Sequence, residues 1–136
     1  MILIINTTSN DHLEIILAGR PADFKVKKIP GKFNQAEKLL PAIAKLLAAE
    51  KIKPEGLKAI GVVVGPGGFT SVRIGVAAAN GLGYGLRVPV VGIKSAEFSD
   101  QRELVAKIFA RAKSSAKSKL ARPFYDREPN ITMAKK

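Results

Sequence analysis

The sequence predicts one α/β domain built on a mixed β-sheet, and three observations support this fold class. The chain has 136 residues, the length of one domain, and 46% of them are hydrophobic, which is typical of a globular protein. Apolar runs separated by short turns at the N-terminus predict antiparallel strands, because so short a connection cannot support a parallel crossover. Two later runs, residues 57–64 and 87–93, are separated by a helical pattern and are expected to lie parallel, with a right-handed crossover.

A three-stranded meander is predicted for the opening of the chain. Its strands are residues 1–7, 12–18 and 22–29, with turn-forming residues between them. The first run is almost continuously apolar and predicts a central strand. The third run alternates apolar and lysine side chains, so it is expected to be half exposed.

A first helix is predicted over residues 34–51, where leucine and isoleucine recur at helical spacing. Asn34 is the expected N-cap, and Glu37 three residues later completes a pattern like a capping box. Pro41 lies two turns into the helix, where it should leave the Glu37 carbonyl unpaired and kink the helix. Alanines fill much of the remaining surface, so this helix is apolar or small on more than one side.

A glycine-rich segment, GPGGFTSVRIG at residues 65–75, joins the fourth strand to the second helix, with Thr70 as the expected N-cap of a helix from Ser71. One interpretation is an anion site, in which loop amides and the helix N-terminus hold a phosphate. The other is a tight turn that packs the helix closely onto the sheet. The loop lacks the Lys-Ser/Thr ending of a P-loop and the G-x-G-x-x-G spacing, which favours the structural interpretation. The candidate loop residues are Gly65, Pro66, Gly67, Gly68, Phe69, Thr70 and Arg73.

The second helix has no charged side chain from Ile74 to Leu86. Each interior glycine costs roughly 1 kcal/mol relative to alanine, so packing must hold this helix together. A helix that is apolar all round is expected to be buried all round, and the sheet covers only one side. The other side is covered either by a partner helix, which the small stripe Gly75, Ala79 and Gly83 lets approach, or by the first helix of the same chain.

The formal net charge of +12 favours a polyanionic partner, with nucleic acid first and an anionic membrane surface second, although a basic surface can also be simply solvated. No run approaches the roughly 18 apolar residues of a membrane span, and the apolar N-terminus has no basic leader, so a cytoplasmic protein is expected. The chain has no cysteine, which excludes disulfides and thiolate chemistry. The candidate nucleic-acid-contacting residues, which become candidate tRNA contacts under the resemblance described below, are Lys25, Lys27, Lys28, Lys107, Arg111, Lys113 and Lys117.

The order of elements resembles the βββαβαβα half-domain of the actin-like ATPase (ASKHA, ribonuclease H-like) class, with a mixed five-stranded sheet. Residues 65–75 resemble the GPGSFTGxRIG signature of the TsaB (YeaZ) family. Residues 77–97 continue the similarity, residues 4–8 resemble the family's A-[IL]-D-T-S opening, and residues 35–47 resemble its H-x-x-x-x-L-P helix. The resemblance covers about residues 1–97.

Four substitutions depart from the family pattern: Asn6 replaces Asp, Gln35 replaces His, Gly68 replaces Ser and Ser71 replaces Gly. Family members usually carry a second, smaller domain before a C-terminal P-x-Y-x-R segment, which PFYDR at residues 123–127 resembles. The chain is therefore expected to be an internally shortened member. The expected parts are an actin-like first domain (1–97), a basic amphipathic helix or linker replacing the second domain (98–122), and a C-terminal docking tail (123–136).

The resemblance implies a non-catalytic accessory subunit of the complex that makes tRNA threonylcarbamoyladenosine (t6A). It implies pairing with the catalytic TsaD-type subunit through the first two helices, a homodimer when that partner is absent, a TsaE-type ATPase as a further partner, and tRNA bound through the complex. The expected interface residues are Leu39, Leu40, Ile43, Leu47, Gly75, Ala79, Leu82 and Gly83.

The residues predict no catalysis, cofactor or metal site. Asn6 stands where the resemblance implies a carboxylate for metal and phosphate, and His12 is the one histidine. Ser9, Asp11 and His12 are close in sequence, but a turn rarely makes such residues converge as a triad. Two alternatives remain open: a free-standing basic RNA-binding domain, and a nucleotide-binding phosphotransferase remnant that uses the glycine-rich loop.

Overall fold

The computed structural model describes residues 1–9, 11–30 and 35–113. Its strands are β1 (Ile2–Asn6), β2 (His12–Arg20), β3 (Asp23–Pro30), β4 (Ala59–Gly65) and β5 (Val90–Lys94). They form one five-stranded sheet in the order β3-β2-β1-β4-β5. The pairs β1–β2 and β2–β3 are antiparallel, whereas β1–β4 and β4–β5 are parallel. The predicted mixed sheet and its opening meander are confirmed.

Three helices cover the sheet: α1 (Gln35–Ala49), α2 (Phe69–Leu86) and α3 (Gln101–Ala112). α1 and α2 lie on one face, because their buried residues join one apolar cluster with Leu3, Ile5 and Ile15 of the sheet. α3 lies on the other face, where Leu104, Val105 and Ile108 pack in a second cluster with residues such as Ile4 and Ile16. Side chains of one strand alternate between the faces, so β1 and β2 serve both clusters. The domain therefore has three layers.

Two helix starts differ from the prediction. α2 begins at Phe69, and its N-cap is Gly68 in an extended conformation, so the exposed Thr70 lies inside the first turn instead of capping it. The basic amphipathic helix expected from residue 98 begins at Gln101, after a short 3₁₀ turn, Ser95–Glu97. Asp100 starts α3 by accepting a hydrogen bond from the backbone amide of Glu103 at 2.9 Å.

The first helix ends at Ala49 and contains Pro41, as expected. Three predicted features lie outside the described residues: the cap Asn34, the docking tail 123–136, and residues 114–122 of the basic segment before the tail. In the described ranges, no helix is long and apolar enough to cross a membrane.

β3 forms one edge of the sheet, and most of its side chains are exposed. It carries Lys25, Lys27 and Lys28 within eight residues. Lysines on an edge strand oppose pairing with the edge of another sheet. The third strand is therefore more exposed than the half-exposed strand that the alternating pattern predicted, since Val26 is exposed as well.

Candidate partner-binding surface

The glycine-rich loop packs against the end of β1, because β1 and β4 are parallel neighbours and end at the same edge of the sheet. A Cβ atom built on Gly67 would lie 3.1 Å from the Cα of Thr8, and Gly65 has a φ of 115° that a side chain would strain. The hydroxyl of Thr7, a buried residue, donates a hydrogen bond to the Ser71 carbonyl at 2.5 Å. Close packing therefore explains these glycines without an anion.

Asn6 stabilises the turn that follows β1. Its side-chain oxygen accepts hydrogen bonds from the Thr8 amide at 3.0 Å and the Thr8 hydroxyl at 2.7 Å. Such an Asx turn fixes the backbone locally. The position for which the resemblance implies a metal-binding carboxylate is thus a neutral amide engaged in the chain's own turn.

The small stripe of α2 faces the chain's own sheet. A Cβ on Gly75 would lie 2.5 Å from the Thr7 hydroxyl oxygen, Ala79 is fully buried, and a Cβ on Gly83 would overlap Val90. The expectation that this stripe admits a partner helix needs correction, because β1 and β5 already fill the space beside it. Three further members of the predicted interface, Leu39, Ile43 and Leu47, are likewise buried in the core.

The exposed side of the two helices is a different set of residues. Leu40 is 50% exposed and Tyr84 is 84% exposed, although both are large apolar or aromatic side chains. Gly81 and Gly85 have open space where a Cβ would stand. We call the following residues the outer helical surface: Leu40, Ala44, Ala48, Ala77, Gly81, Tyr84 and Gly85, all of them exposed.

The outer helical surface shares only Leu40 with the predicted interface, and Leu82 is half buried beside it. Gly81, Tyr84 and Gly85 were missed as surface residues. The signal that could have found them is the phase of α2: Val72 and Val76 must face the sheet, which turns Gly81 and Gly85 outward. Arg73 is exposed in the first turn of α2.

Three of the predicted tRNA-contacting cations are held by carboxylates of the same chain. Lys25 pairs with Glu50 at 2.9 Å, Lys107 pairs with Glu103 at 3.4 Å, and Arg111 pairs with Glu97. These partners compete with any phosphate, so the charge they offer to tRNA is reduced.

The Arg111–Glu97 contact changes the titration of its carboxylate. The Arg111 hydrogen bond, with help from the Lys94 backbone amide, lowers the pKa of Glu97 to about 2. Of the other predicted cations, Lys27 and Lys28 are exposed on β3, and Lys113 is exposed at the end of α3. Lys117 lies outside the described residues.

Ser9, Asp11 and His12 do converge, contrary to expectation, but not as a catalytic triad. The Ser9 hydroxyl oxygen lies 3.1 Å and the Asp11 carboxylate 2.7 Å from the same ring nitrogen, Nδ1 of His12. A proton relay needs the nucleophile and the carboxylate on different ring nitrogens. Hydrogen bonds from Ser9 and then His12 lower the pKa of Asp11, which holds an exposed turn. Among the described residues, no group of three acidic, histidine or cysteine side chains could hold a metal ion.

A protein-family model described as "TsaD: tRNA N6-adenosine threonylcarbamoyltransferase" matches residues 32–107. This range includes α1, the glycine-rich loop and α2. It therefore contains every residue of the outer helical surface.

Curated relatives carry the name "tRNA threonylcarbamoyladenosine biosynthesis protein TsaB". The one from Bacillus subtilis is 38% identical over 66 residues, 48% of this chain and 29% of the relative. The one from Buchnera aphidicola is 29% identical over 101 residues, 74% of this chain and 48% of the relative. The one from Escherichia coli is 32% identical over 62 residues, 46% of this chain and 27% of the relative. The chain thus spans between 27% and 48% of the length of these relatives.

Two solved structures from Pseudomonas aeruginosa share the fold. An uncharacterized protein with similarity to peptidase YEAZ has a TM-score of 0.60 and 26% identity, over 68% of this chain and 42% of that one. YeaZ has a TM-score of 0.62 and 24% identity, over 83% of this chain and 49% of that one. The chain has the actin-like (ASKHA) α/β fold that its order of elements predicted. It belongs to the family that the TsaD model describes, and its similarities place it among the TsaB (YeaZ) proteins.

Proposed function

We propose that this chain acts in tRNA threonylcarbamoyladenosine biosynthesis as a non-catalytic accessory subunit that pairs with a TsaD-type catalytic subunit. The names of the curated relatives support the pathway. The observation that carries the pairing is the outer helical surface, a set of exposed and uncharged residues on two adjacent helices. The proposed role is cytoplasmic.

The outer helical surface has the chemistry of a helix-packing interface. Tyr84 offers a large ring with a polar tip, a side chain that is enriched at interfaces and is 84% exposed here. Gly81 and Gly85 on either side of it leave the helix backbone uncovered, so a partner helix can approach closely. Because exposed apolar patches mark interaction sites, we expect helices of the partner to cover α1 and α2 along this face.

An accessory role also fits the chemistry of the described residues. Asn6 closes its own turn, and the Ser9–Asp11–His12 cluster places both partners on one ring nitrogen. Neither arrangement supplies a nucleophile with its base or a metal-binding carboxylate. The chemistry of the proposed complex is therefore assigned to the TsaD-type partner.

The remaining partners follow from the same proposal. A TsaE-type ATPase joins the pair, and the outer helical surface forms a homodimer when the catalytic subunit is absent. tRNA is bound through the complex. Direct contact by this chain would fall to Lys27, Lys28 and Lys113, which are exposed, in preference to the three cations paired with carboxylates.

The proposal is tested by reconstituting threonylcarbamoyladenosine synthesis on tRNA from TsaD-type and TsaE-type proteins of the same source, with and without this chain. We expect product only when the chain is present, and a stable complex with the TsaD-type protein by co-purification. Equal product formation in its absence would contradict an accessory role. Salt-sensitive tRNA binding by the chain alone, without any such complex, would favour the free-standing RNA-binding alternative.

A further inference from the structure

An open groove lies between the edge strand β3 and helix α1, on the flank of α1 that faces away from α2. It has a volume of about 710 Å³. Its apolar wall includes Ile29, Pro41, Ala42 and Leu46. Of the described residues that line it, three are lysines whose side chains belong to this face: Lys27, Lys38 and Lys45. Lys28 also borders it, but the alternation along β3 directs its side chain to the opposite face, with Phe24. We call this feature the lysine groove.

The lysine groove exists because the sheet is wider than the helix that covers it. β3 is the outermost strand, and the inner side of its C-terminal half carries Ile29, which is only partly buried against the core. On α1, Lys38, Ala42 and Lys45 recur at helical spacing along the same flank. Apolar surface and positive charge are thus combined in one concave site.

The lysine groove combines an apolar wall with positive charge, so it fits an occupant that is both apolar and acidic. Of the described residues that line it, Glu37 is the one carboxylate beside these three lysines. Lys38 donates to the Pro30 carbonyl at 3.3 Å, a neutral acceptor that leaves its charge uncompensated. Nucleic acid fits less well, because none of these lining residues is aromatic and could stack a base.

We propose that the occupant is the C-terminal segment of the same chain, PFYDREPNI at residues 123–131. Its aromatic pair, Phe124 and Tyr125, supplies apolar contact area for the groove wall. Asp126 and Glu128 follow with Arg127 between them, so residues 123–131 carry a net charge of −1, from two acids and one base. The segment thus combines the two properties of the groove with the opposite sign of charge.

The connection is long enough for this docking. α3 ends at Ala112 on the opposite face of the sheet, and residues 114–122 precede the segment. Nine residues span about 30 Å when extended. The outer strands of a five-stranded sheet are about 20 Å apart at normal strand spacing. Because α3 and the groove lie on opposite faces, the route also crosses from one layer to the other. The connection must therefore be nearly extended to bring the segment round the exposed edge of β3 into the groove, where tethering favours it over a second copy.

The docking is tested in the full chain with single cysteines, since the natural sequence has none. Ala42→Cys reports on the groove, and Ala110→Cys, exposed on α3, is the control. Rates of reaction with a maleimide are compared with and without the double substitution Phe124→Ser and Tyr125→Ser. We expect this change to speed the reaction of Ala42→Cys at least about tenfold, since the protection then follows the docking equilibrium, and to leave the control unchanged.

A charge swap gives an independent readout. Reversing the charge of the tail with Asp126→Lys and Glu128→Lys should also speed the maleimide reaction of Ala42→Cys. Adding the opposite reversal in the groove, Lys38→Glu and Lys45→Glu, should slow that reaction again. As a control, Lys51→Glu with Lys53→Glu changes two exposed lysines outside the groove and should leave the reaction fast. The proposal is overturned if the tail substitutions leave the rate unchanged. It is also overturned if protection rises with protein concentration, which would indicate a second copy, or if it requires added tRNA, which would assign the groove to nucleic acid.

Discussion

Gly75 lies against Thr7 so closely that a Cβ atom on residue 75 would stand 2.5 Å from the Thr7 hydroxyl oxygen. This contact joins the second turn of α2 to the end of β1. It explains why α2 tolerates glycine at a position where alanine would favour the helix. The glycine is thus required by the chain's own packing and does not indicate a partner.

Gly75→Ala is therefore expected to lower the free energy of unfolding by about 1–3 kcal/mol, the usual effect of overfilling a packed site. Gly81→Ala is the matched control, because nothing lies within 4 Å of the added Cβ. There the gain in helix propensity should raise stability by roughly 0.5–1 kcal/mol. Urea denaturation of both variants checks the prediction, and equal effects at the two positions would contradict the described packing.

The side-chain oxygen of Asn6 is expected to stabilise the fold, because it accepts two hydrogen bonds from Thr8. Asn6→Ala removes both hydrogen bonds from Thr8 and should lower the free energy of unfolding by about 1–2 kcal/mol. Asn6→Asp keeps an acceptor oxygen in place and should lower the free energy of unfolding much less. Thermal denaturation compares the two variants, and an equal loss from Asp and Ala would show that the side-chain oxygen does not hold this turn.

The Glu97–Arg111 contact predicts a pH dependence of stability. The folded pKa of Glu97 is about 2, below the ordinary value of 4.5, so the contact stabilises the protein above pH 4.5 and loses its effect as the pH falls from 4.5 towards 2. At pH 7, Glu97→Gln should lower stability by roughly 0.5–1 kcal/mol, since the pair is partly exposed to solvent.

The difference in the free energy of unfolding between Glu97→Gln and the natural chain should shrink steadily as the pH falls from 4.5 towards 2. Glu55→Gln, at an exposed glutamate in the Pro54–Gly56 turn, serves as control and should show no such convergence. Denaturant titrations at several pH values measure both. A difference that stays constant down to pH 2 would mean that the ion pair does not form.

The sheet could be predicted from the sequence because its signals are local. The short turn between β1 and β2 demands an antiparallel pair, and the helix between β4 and β5 demands a parallel one. The alternation in β3 likewise predicted exposure on one face, but the position of this strand at the edge of the sheet came only from the structure. The N-cap of α2 was harder to predict: Thr70 has the better capping side chain, but the extended backbone at Gly68 begins the helix two residues earlier.

The candidate surface could be predicted only in part, because a periodic pattern shows which residues share a stripe but not what covers it. Gly75 and Gly83 were assigned to a partner, although β1 and β5 occupy that space. Gly81 and Gly85 lie on the opposite side of α2 and face outward. Ion pairs between residues distant in sequence, such as Lys25 with Glu50, could not be predicted either, because they form only when the fold brings β3 beside the end of α1.

The measurement that tests the proposed function most directly is the affinity of Gly81→Glu for a TsaD-type protein. A glutamate there places charge on the uncharged outer helical surface and does not disturb the core, because the site is open. Ala106→Glu, on the exposed side of α3 in the opposite layer, is the matched control. We expect Gly81→Glu to weaken the complex at least about a hundredfold, as a buried unpaired charge should, with the control unchanged. Equal affinity for both variants would contradict pairing through the outer helical surface.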